Sequence, residues 1–404
     1  MNQNPEEEFA NLLEKSEKEP GGYLQEIAKN VHASPDKYFP LLVSALDNNP
    51  VTMTPVLNEL FSGHLNKLVS KLVFPLLNDT NLQNRFIWAS NFLSENYSDG
   101  AAKHLINALS DTKKNIVLAA VKALAALRDA DSIRALKDFF INSTDEVQLS
   151  ASIRYLLPIS DRISPEFIQN FDRYPVNRQI WIMKFLSESK VSEAFQIYVK
   201  SLREEPLILG IFAVAGLGNI GEERCVEILA NVLSHKEWFL RKRAADALGM
   251  CHFPSSVPHL VNALTDSSIQ IRTSAVESLS KIGNLNLDCL IDGLKNGDHN
   301  QKVGLIKAFG QIKSSKLVEP LINILSNRST LFFSIDALGD IGDQRAVKHL
   351  MPFLKDEEWF NRLNALEALG KIRPPDIIET AKKCLEDPND MVRNSAQRII
   401  QQKN

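Results

Sequence analysis

The chain has 404 residues, with 46 Lys and Arg against 49 Asp and Glu, which gives a formal net charge of −3. This near balance argues against a general nucleic-acid binder, because such proteins normally carry a large basic excess. Apolar residues make up 44% of the chain. That fraction is enough to bury a core and excludes wholesale disorder.

The first part of the chain, residues 1–34, is acidic and polar. It lacks the basic start and the apolar run of a secretory signal, so we expect a leader segment that caps the first repeat. No stretch approaches 18 uninterrupted apolar residues, so we expect no membrane span. These features favour a cytoplasmic protein. The acidic residues of the leader are Glu6, Glu7, Glu8, Glu14, Glu17 and Glu19.

From about residue 35, an apolar residue that precedes a polar turn recurs every 29–32 positions. Such constant spacing is typical of a repeat protein, in which each unit is one supersecondary element. It predicts a single domain, residues 35–404, built of twelve units. The twelve anchor residues are Leu46, Leu77, Leu109, Phe140, Phe171, Leu202, Leu233, Leu264, Leu294, Leu325, Leu354 and Leu385.

Each unit has the pattern of two amphipathic helices. In residues 256–283, Val257, Leu260 and Leu264 follow the i, i+3, i+7 spacing, and Ile271 starts a second apolar stripe after the turn. No segment alternates with period two for long enough to form a strand. The predicted fold is all-α, a right-handed α-solenoid (superhelix) of about twelve two-helix repeats of about 31 residues.

Glycines recur near the predicted end of the second helix, where a left-handed C-terminal residue favours glycine. We therefore expect C-caps at Gly218, Gly249, Gly310, Gly339 and Gly370.

Two segments depart from the repeat pattern. Residues 162–200 carry Pro165, Pro175 and extra aromatic residues, and residues 317–345 have a shortened second helix. We expect a bend at either segment.

Five units carry an Asp one or two residues after the anchor and an Arg six residues beyond that Asp. We expect the Asp to cap the second helix and the Arg to bond turn carbonyls or the Asp of an adjacent unit. Stacked repeats would then form a ladder with a structural role. The five pairs are Asp79 with Arg85, Asp172 with Arg178, Asp266 with Arg272, Asp356 with Arg362, and Asp387 with Arg393.

The segments VLSHKEWFLRKRAADALG (232–249), ALTDSSIQIRTSAVESLSKIG (263–283) and CLEDPNDMVRNSAQRI (384–399) carry a family resemblance. They resemble HEAT-like repeats, in particular the short bacterial variety named after the phycobilisome (PBS) lyases. The resemblance implies a bacterial solenoid whose second helices line the concave side. It is specific for fold and weak for function, because such arrays serve as scaffolds, adaptors, chaperones and a few enzymes.

Sequence motifs for catalysis are missing, among them GxxxxGK[ST], GxSxG and HExxH. The chain also lacks the His-Glu dipeptides of the HEAT-repeat deoxyhypusine hydroxylases. Cys251, His252 and His259 lie close in sequence without a fourth ligand at metal-binding spacing. We therefore predict no catalytic residue, no cofactor and no metal. The enzyme alternative is a phycobilin lyase or lyase-like chaperone that handles a bilin and a phycobiliprotein subunit.

Two tryptophans occupy equivalent positions, five residues after their anchors. They are Trp238 in HKEWFLR and Trp359 in DEEWFNR, at the entry to a second helix, and Lys242 and Arg243 follow Trp238. One interpretation is that each ring packs on the adjacent turn. The other is that Trp238, Lys242, Arg243 and Trp359 bind a protein or peptide partner on the concave face of a scaffold or adaptor.

Overall fold

The computed structural model describes residues 5–18, 23–61, 72–96, 100–203 and 206–401. Over these ranges the regular structure consists of α-helices and short 3-10 turns, with no strand. The chain is an all-α solenoid, as the periodicity predicts. Its right-handed sense and its single-domain organisation over residues 35–404 stay predictions. The helices group into two compact units, Met1–Ser189 and Lys190–Asn404.

The first unit contains eleven α-helices within the described residues. They are α1 Pro5–Lys18, α2 Leu24–Ala33, α3 Pro35–Asn48, α4 Pro50–Phe61, α5 Gln83–Asn96, α6 Ala101–Ala108, α7 Lys114–Leu127, α8 Ala130–Asn142, α9 Glu146–Leu156, α10 Ser160–Gln169 and α11 Val176–Ser189.

The second unit continues the same alternation of helices. They are α12 Phe195–Ser201, α13 Leu207–Ile220, α14 Arg224–Val232, α15 Trp238–Cys251, α16 Ser256–Ala263, α17 Ile269–Ile282, α18 Leu287–Asn296, α19 His299–Ile312, α20 Val318–Ile322, α21 Leu331–Ile341, α22 Val347–Leu350, α23 Trp359–Ile372, α24 Ile377–Lys383 and α25 Asp390–Gln401.

The twelve predicted units are recognisable in this order. A second helix begins four to six residues after every anchor, from α4 after Leu46 to α25 after Leu385. Several first helices are short and end in a 3-10 turn, as at Met351–Lys355. The start of the first helix before Leu77 lies outside the described residues.

Helices α1 and α2 occupy the predicted leader. They pack against α3, with Phe9 and Ile27 buried and the Phe9 ring 4.7 Å from that of Tyr38. The side chains of Glu6, Glu7 and Glu8 are exposed, whereas Glu19 and the side chain of Glu17 lie outside the described part. The role of this pair as a cap stays a prediction.

Consecutive second helices of the second unit pack side by side and run parallel. Arg241 at the start of α15 binds Asp266 just before the start of α17. At the other end, Gly249 of α15 lies against Ser278 of α17. Because starts adjoin starts and ends adjoin ends, the first residues of these helices share one edge of the stack.

The prediction that glycines cap the second helices is wrong. Gly218, Gly249 and Gly339 lie inside their helices, where a Cβ atom would meet the next second helix at 2.9, 2.5 and 2.8 Å respectively. Gly310 and Gly370 lie inside helices in the same way. These glycines permit close packing between helices. The left-handed conformation falls three residues later, at Gly221, His252, Lys313, Gly342 and Arg373.

Both departures from the repeat are visible. The division between the two compact units falls after Ser189, inside the aromatic-rich segment 162–200. Helix α21 has 11 residues, whereas its neighbours α19 and α23 have 14. The shortened second helix predicted at 317–345 is therefore confirmed. None of the helices that the structure describes is long and apolar enough to cross a bilayer.

Candidate partner-binding surface

Paired side chains link successive repeats at the starts of the second helices. Arg362 Nε and Nη2 donate to Asp387 Oδ2 and Oδ1, both at 2.8 Å, and Arg362 Nη1 donates to the carbonyls of Asp356 and Glu357 at 2.9 and 3.1 Å. One guanidinium thus joins its own turn to the turn of the next repeat. The bidentate hydrogen bonds from Arg362 hold the pKa of Asp387 below its usual range.

Asp266 and Asp387 do not cap the helices as predicted. Asp266 Oδ1 accepts the backbone N–H of Ser268 at 2.8 Å, and Asp387 Oδ1 accepts that of Asn389 at 2.8 Å. Ser268 is itself the N-cap residue of α17 and makes no side-chain cap bond. The carboxylate therefore closes the turn two residues ahead, and the predicted helix cap is absent.

The other arginines of the motif bond backbone or neighbouring turns in varied ways. Arg272 donates to the carbonyls of Asp266 and Ser267 in its own turn. Buried Arg178 donates to the carbonyls of Phe140 and Ser143 in the preceding repeat, at 2.6 and 2.8 Å. These contacts support a structural role for the motif in both units.

The first residues of the second helices form an interrupted row of exposed apolar side chains in the second unit. The fraction of residue surface exposed is 49% for Trp238, 63% for Ile269 and 42% for Trp359. Phe332 and Phe360, each at the second position of its helix, are also exposed. We call these five residues the apolar row. Neither tryptophan is buried between helices.

The two tryptophans have the same local geometry. The ring of Trp238 meets that of Phe239 edge to face, with centroids 6.2 Å apart and planes at 85°. The ring of Trp359 meets that of Phe360 with centroids 6.1 Å apart and planes at 85°. The repeat therefore presents each indole in the same way, with part of its face open to solvent.

The basic cluster at residues 241–243 separates into different roles. Arg241 donates two hydrogen bonds to Asp266, from Nε to Oδ2 at 2.7 Å and from Nη2 to Oδ1 at 3.1 Å. Lys242 pairs with Asp246 on its own helix at 2.8 Å. Arg243 is exposed and has no ion pair within the described chain. Of the three, Arg243 is the cation most available to a partner.

Three members of the apolar row were not predicted, namely Ile269, Phe332 and Phe360. Ile269 lies five residues after its anchor Leu264, the same position as the tryptophans, so the anchor spacing would have identified it. Phe332 lies seven residues after Leu325 because α21 starts late, and the spacing alone would not have found it.

The sulfur and imidazole groups near residue 251 do not form a reactive centre. Burial raises the pKa of the Cys251 thiol to about 12, so it stays protonated and unreactive near neutral pH. His252 serves as a left-handed residue at the end of α15, and His259 Nε2 lies 3.6 Å from Glu227. Within the described residues, no group of three or more His, Cys, Asp or Glu side chains could hold a metal ion.

A comparison with protein families matches residues 199–280, 240–303 and 318–401 to the family model described as HEAT repeats. Residues 199–303 and 318–401 therefore match HEAT repeats. The finer resemblance to the phycobilisome-lyase variety, and the bacterial origin it implies, stay predictions. No curated protein matches the sequence.

Among solved structures, similar folds occur in karyopherin Kap121p. In the complex with Nup53p, the TM-score is 0.51 at 13% identity, covering 99% of this chain and 49% of that one. In the complex with the extreme C-terminus of the phosphatase Cdc14p, the TM-score is 0.51 at 13% identity, covering 99% and 50%. The chain spans about half the length of these karyopherins, and at such identity the likeness shows the fold alone.

Proposed function

We propose that this chain is a non-enzymatic scaffold or adaptor that binds an extended segment of a partner protein through the apolar row. The exposure of Trp238 and Trp359, at equivalent positions and in equivalent geometry, carries the proposal. Aromatic anchors that are half open to solvent are typical of binding hot spots, because a partner can still bury their remaining surface.

The packing of the stack supports the concave side as the binding face. The second helices contact each other more extensively than the first helices do. In a stack of helical pairs, the more closely packed layer lies on the inside of the curve. The apolar row lies at the starts of these second helices and would form one rim of that concave surface.

The spacing of the row suits a long ligand. Trp238 and Trp359 lie four repeats apart, and helices packed about 10 Å apart give a separation on the order of 40 Å. An extended peptide of about 12 residues spans that distance, since each residue adds at most about 3.3–3.6 Å. Ile269 lies one repeat after Trp238 and offers an intermediate contact.

The cations beside Trp238 favour a partner that carries an acidic group near that anchor. Arg243 and the partly exposed Lys242 lie within five residues of Trp238 on α15. We infer that apolar contacts supply most of the affinity and that charge sets the register.

One cavity of the first unit was considered as a bilin site, and it gives the bilin alternative little support. A cavity of the first unit combines aromatic walls, Trp88 and Phe92, with Lys122, which would suit rings and a propionate. Its volume is about 190 Å³, below the range of roughly 300–1,000 Å³ typical of small-molecule sites. A tetrapyrrole would not fit there without movement of the helices.

Site-directed photo-crosslinking tests the proposal. Benzoylphenylalanine replaces Trp238 or Trp359 in the native host, and the matched control carries it at Val51, an exposed apolar residue of the first unit. We expect one and the same protein to be crosslinked from both tryptophan positions and not from the control. Crosslinking of unrelated proteins at the two positions, or equal capture at Val51, would contradict a shared binding surface.

A further inference from the structure

A second candidate site lies in the first unit, in the groove between α6 and α8. The cavity has a volume of about 650 Å³ and is bounded by these two first helices and by the turns that precede α7 and α9. Part of its wall is apolar, formed by Ile106, Leu109 and Phe139.

The charged lining of this groove is mostly negative. Asp111, Asp131, Asp138 and Asp145 line it, with Arg134 as the single cation. Arg134 is already bound to Asp131, its neighbour three residues before. Asp138 is exposed and makes no hydrogen bond or ion pair within the described chain. The groove therefore has an excess of carboxylate over cation that its own residues do not neutralise.

Gln148 supplies an independent sign that something binds there. The side chain lines the groove and only 8% of the residue is exposed, yet its amide has no hydrogen-bond partner in the described chain. Its backbone N–H is bonded to Asp145 Oδ1 at 2.9 Å, which holds the residue in place. Because this unpaired amide lines the groove, a group bound there can hydrogen-bond to it.

Equivalent grooves elsewhere do not share this character. In the second unit, the groove lined by His259 and Asp266 has a volume of about 310 Å³, and its carboxylate is bound by Arg241. Another, of about 440 Å³, is lined by the cations Arg328 and Lys348. Neither of these two grooves has the excess negative charge of the groove in the first unit.

We propose that this groove binds a lysine or arginine side chain from an extended segment of a partner protein. The carboxylate of Asp138 and the amide oxygen of Gln148 accept hydrogen bonds from the cationic head, and the methylene stem lies along Ile106, Leu109 and Phe139. A metal ion is a poorer occupant, since the described carboxylates form no group that could ligate one. The proposal rests on the proposed function only in that both require a protein partner.

Nuclear magnetic resonance titration of the full chain tests this assignment. The probes are the peptide Gly-Ser-Gly-Arg-Gly-Ser-Gly, the same peptide with neutral citrulline in place of arginine, and spermidine. We expect the arginine peptide to shift the side-chain amide resonances of Gln148 saturably. We expect the citrulline peptide to bind at least about tenfold more weakly, because it lacks the charge.

Two variants and one control complete the test. Asp138→Asn and Gln148→Leu should each weaken binding of the arginine peptide by about fivefold or more. For Gln148→Leu, binding is followed at the backbone resonance of Phe139. Asp161→Asn, an exposed carboxylate outside the groove, should leave binding unchanged. Three results would each overturn the assignment. They are equal binding of the citrulline peptide, unchanged binding in both groove variants, and a shift with spermidine but none with the arginine peptide. Such a result would leave the crosslinking test at Trp238 and Trp359 unaffected.

Discussion

Arg241 in one repeat holds Asp266 in the next through two parallel hydrogen bonds, of 2.7 and 3.1 Å. Arg362 and Asp387 repeat this arrangement four repeats later, with two bonds of 2.8 Å. Each arginine also donates to carbonyls of its own turn. These links fix the turn before each second helix, and so the position of the residue that begins it. The exposed tryptophans depend on that positioning.

Removing one arginine should cost more where it holds an aspartate. Arg362→Ala leaves the nearly buried carboxylate of Asp387 without its partner, so we expect a loss of about 2–4 kcal/mol in the free energy of unfolding. Arg272→Ala removes only bonds to carbonyls of its own turn and should cost about 1–2 kcal/mol. Urea unfolding followed by far-ultraviolet circular dichroism gives both values. Equal losses in the free energy of unfolding for the two variants would show that the bond between Arg362 and Asp387 adds no stability.

The same pair predicts a response to acid. The pKa of Asp387 is lowered from 3.8, chiefly by the hydrogen bonds from Arg362. A carboxylate with a lowered pKa stabilises the folded state fully above its unfolded-state value, and this contribution disappears as the pH falls through the folded-state value. Stability should therefore decline below about pH 4, and Asp387→Asn should flatten that decline.

Urea midpoints between about pH 6 and about pH 2.5 test this dependence. Asp161→Asn, which removes an exposed carboxylate, is the control and should follow the unmodified protein. An Asp387→Asn variant as acid-sensitive as the unmodified protein would contradict the role given to the pair.

Glycine replacements should have opposite signs at two positions of the second unit. In Gly339→Ala the new methyl group would lie 2.8 Å from the Cα of Ala368, so the two second helices must separate, at a cost of about 1–3 kcal/mol. In Gly210→Ala the nearest atoms are 3.8 Å away, so helix propensity should stabilise the protein by up to about 1 kcal/mol. Thermal unfolding distinguishes them. Stabilisation by Gly339→Ala would refute close packing at that position.

Much of the fold could be predicted from the sequence because the same pattern recurs in successive repeats. A weak pattern in one repeat is therefore supported by stronger patterns in the others. The anchor spacing predicted the helix pairs, and the departure from the repeat pattern at residues 317–345 predicted the shortened helix α21. The glycines were misassigned because spacing from the anchor does not show that the helix continues three residues further, to positions such as His252 and Arg373. Their true role, close contact between neighbouring helices, depends on distances across repeats that no single repeat contains.

The site was only partly predictable for the same reason. Trp238 and Trp359 stood out because they share one position, but their exposure depends on how the following repeat packs. Arg241 was assigned to a basic cluster because its own repeat has His235 where the motif has Asp, and its true partner is in the next repeat. Recognising the acidic groove as a candidate site requires knowing which side chains, such as Gln148, lack a partner in the fold. No sequence pattern indicates this.

Binding by the apolar row is tested most directly with the double variant Trp238→Ala and Trp359→Ala, measured against the protein that the crosslinking identifies. We expect affinity to fall by about 2 kcal/mol or more, roughly 30-fold, because both anchors lose their buried contact area. The melting temperature should change little, since both rings are half exposed. Met250→Ala, which removes an exposed side chain at the other end of α15, should leave affinity unchanged. Unchanged affinity in the double variant, measured by isothermal titration calorimetry, would contradict the proposal that the apolar row is the binding site.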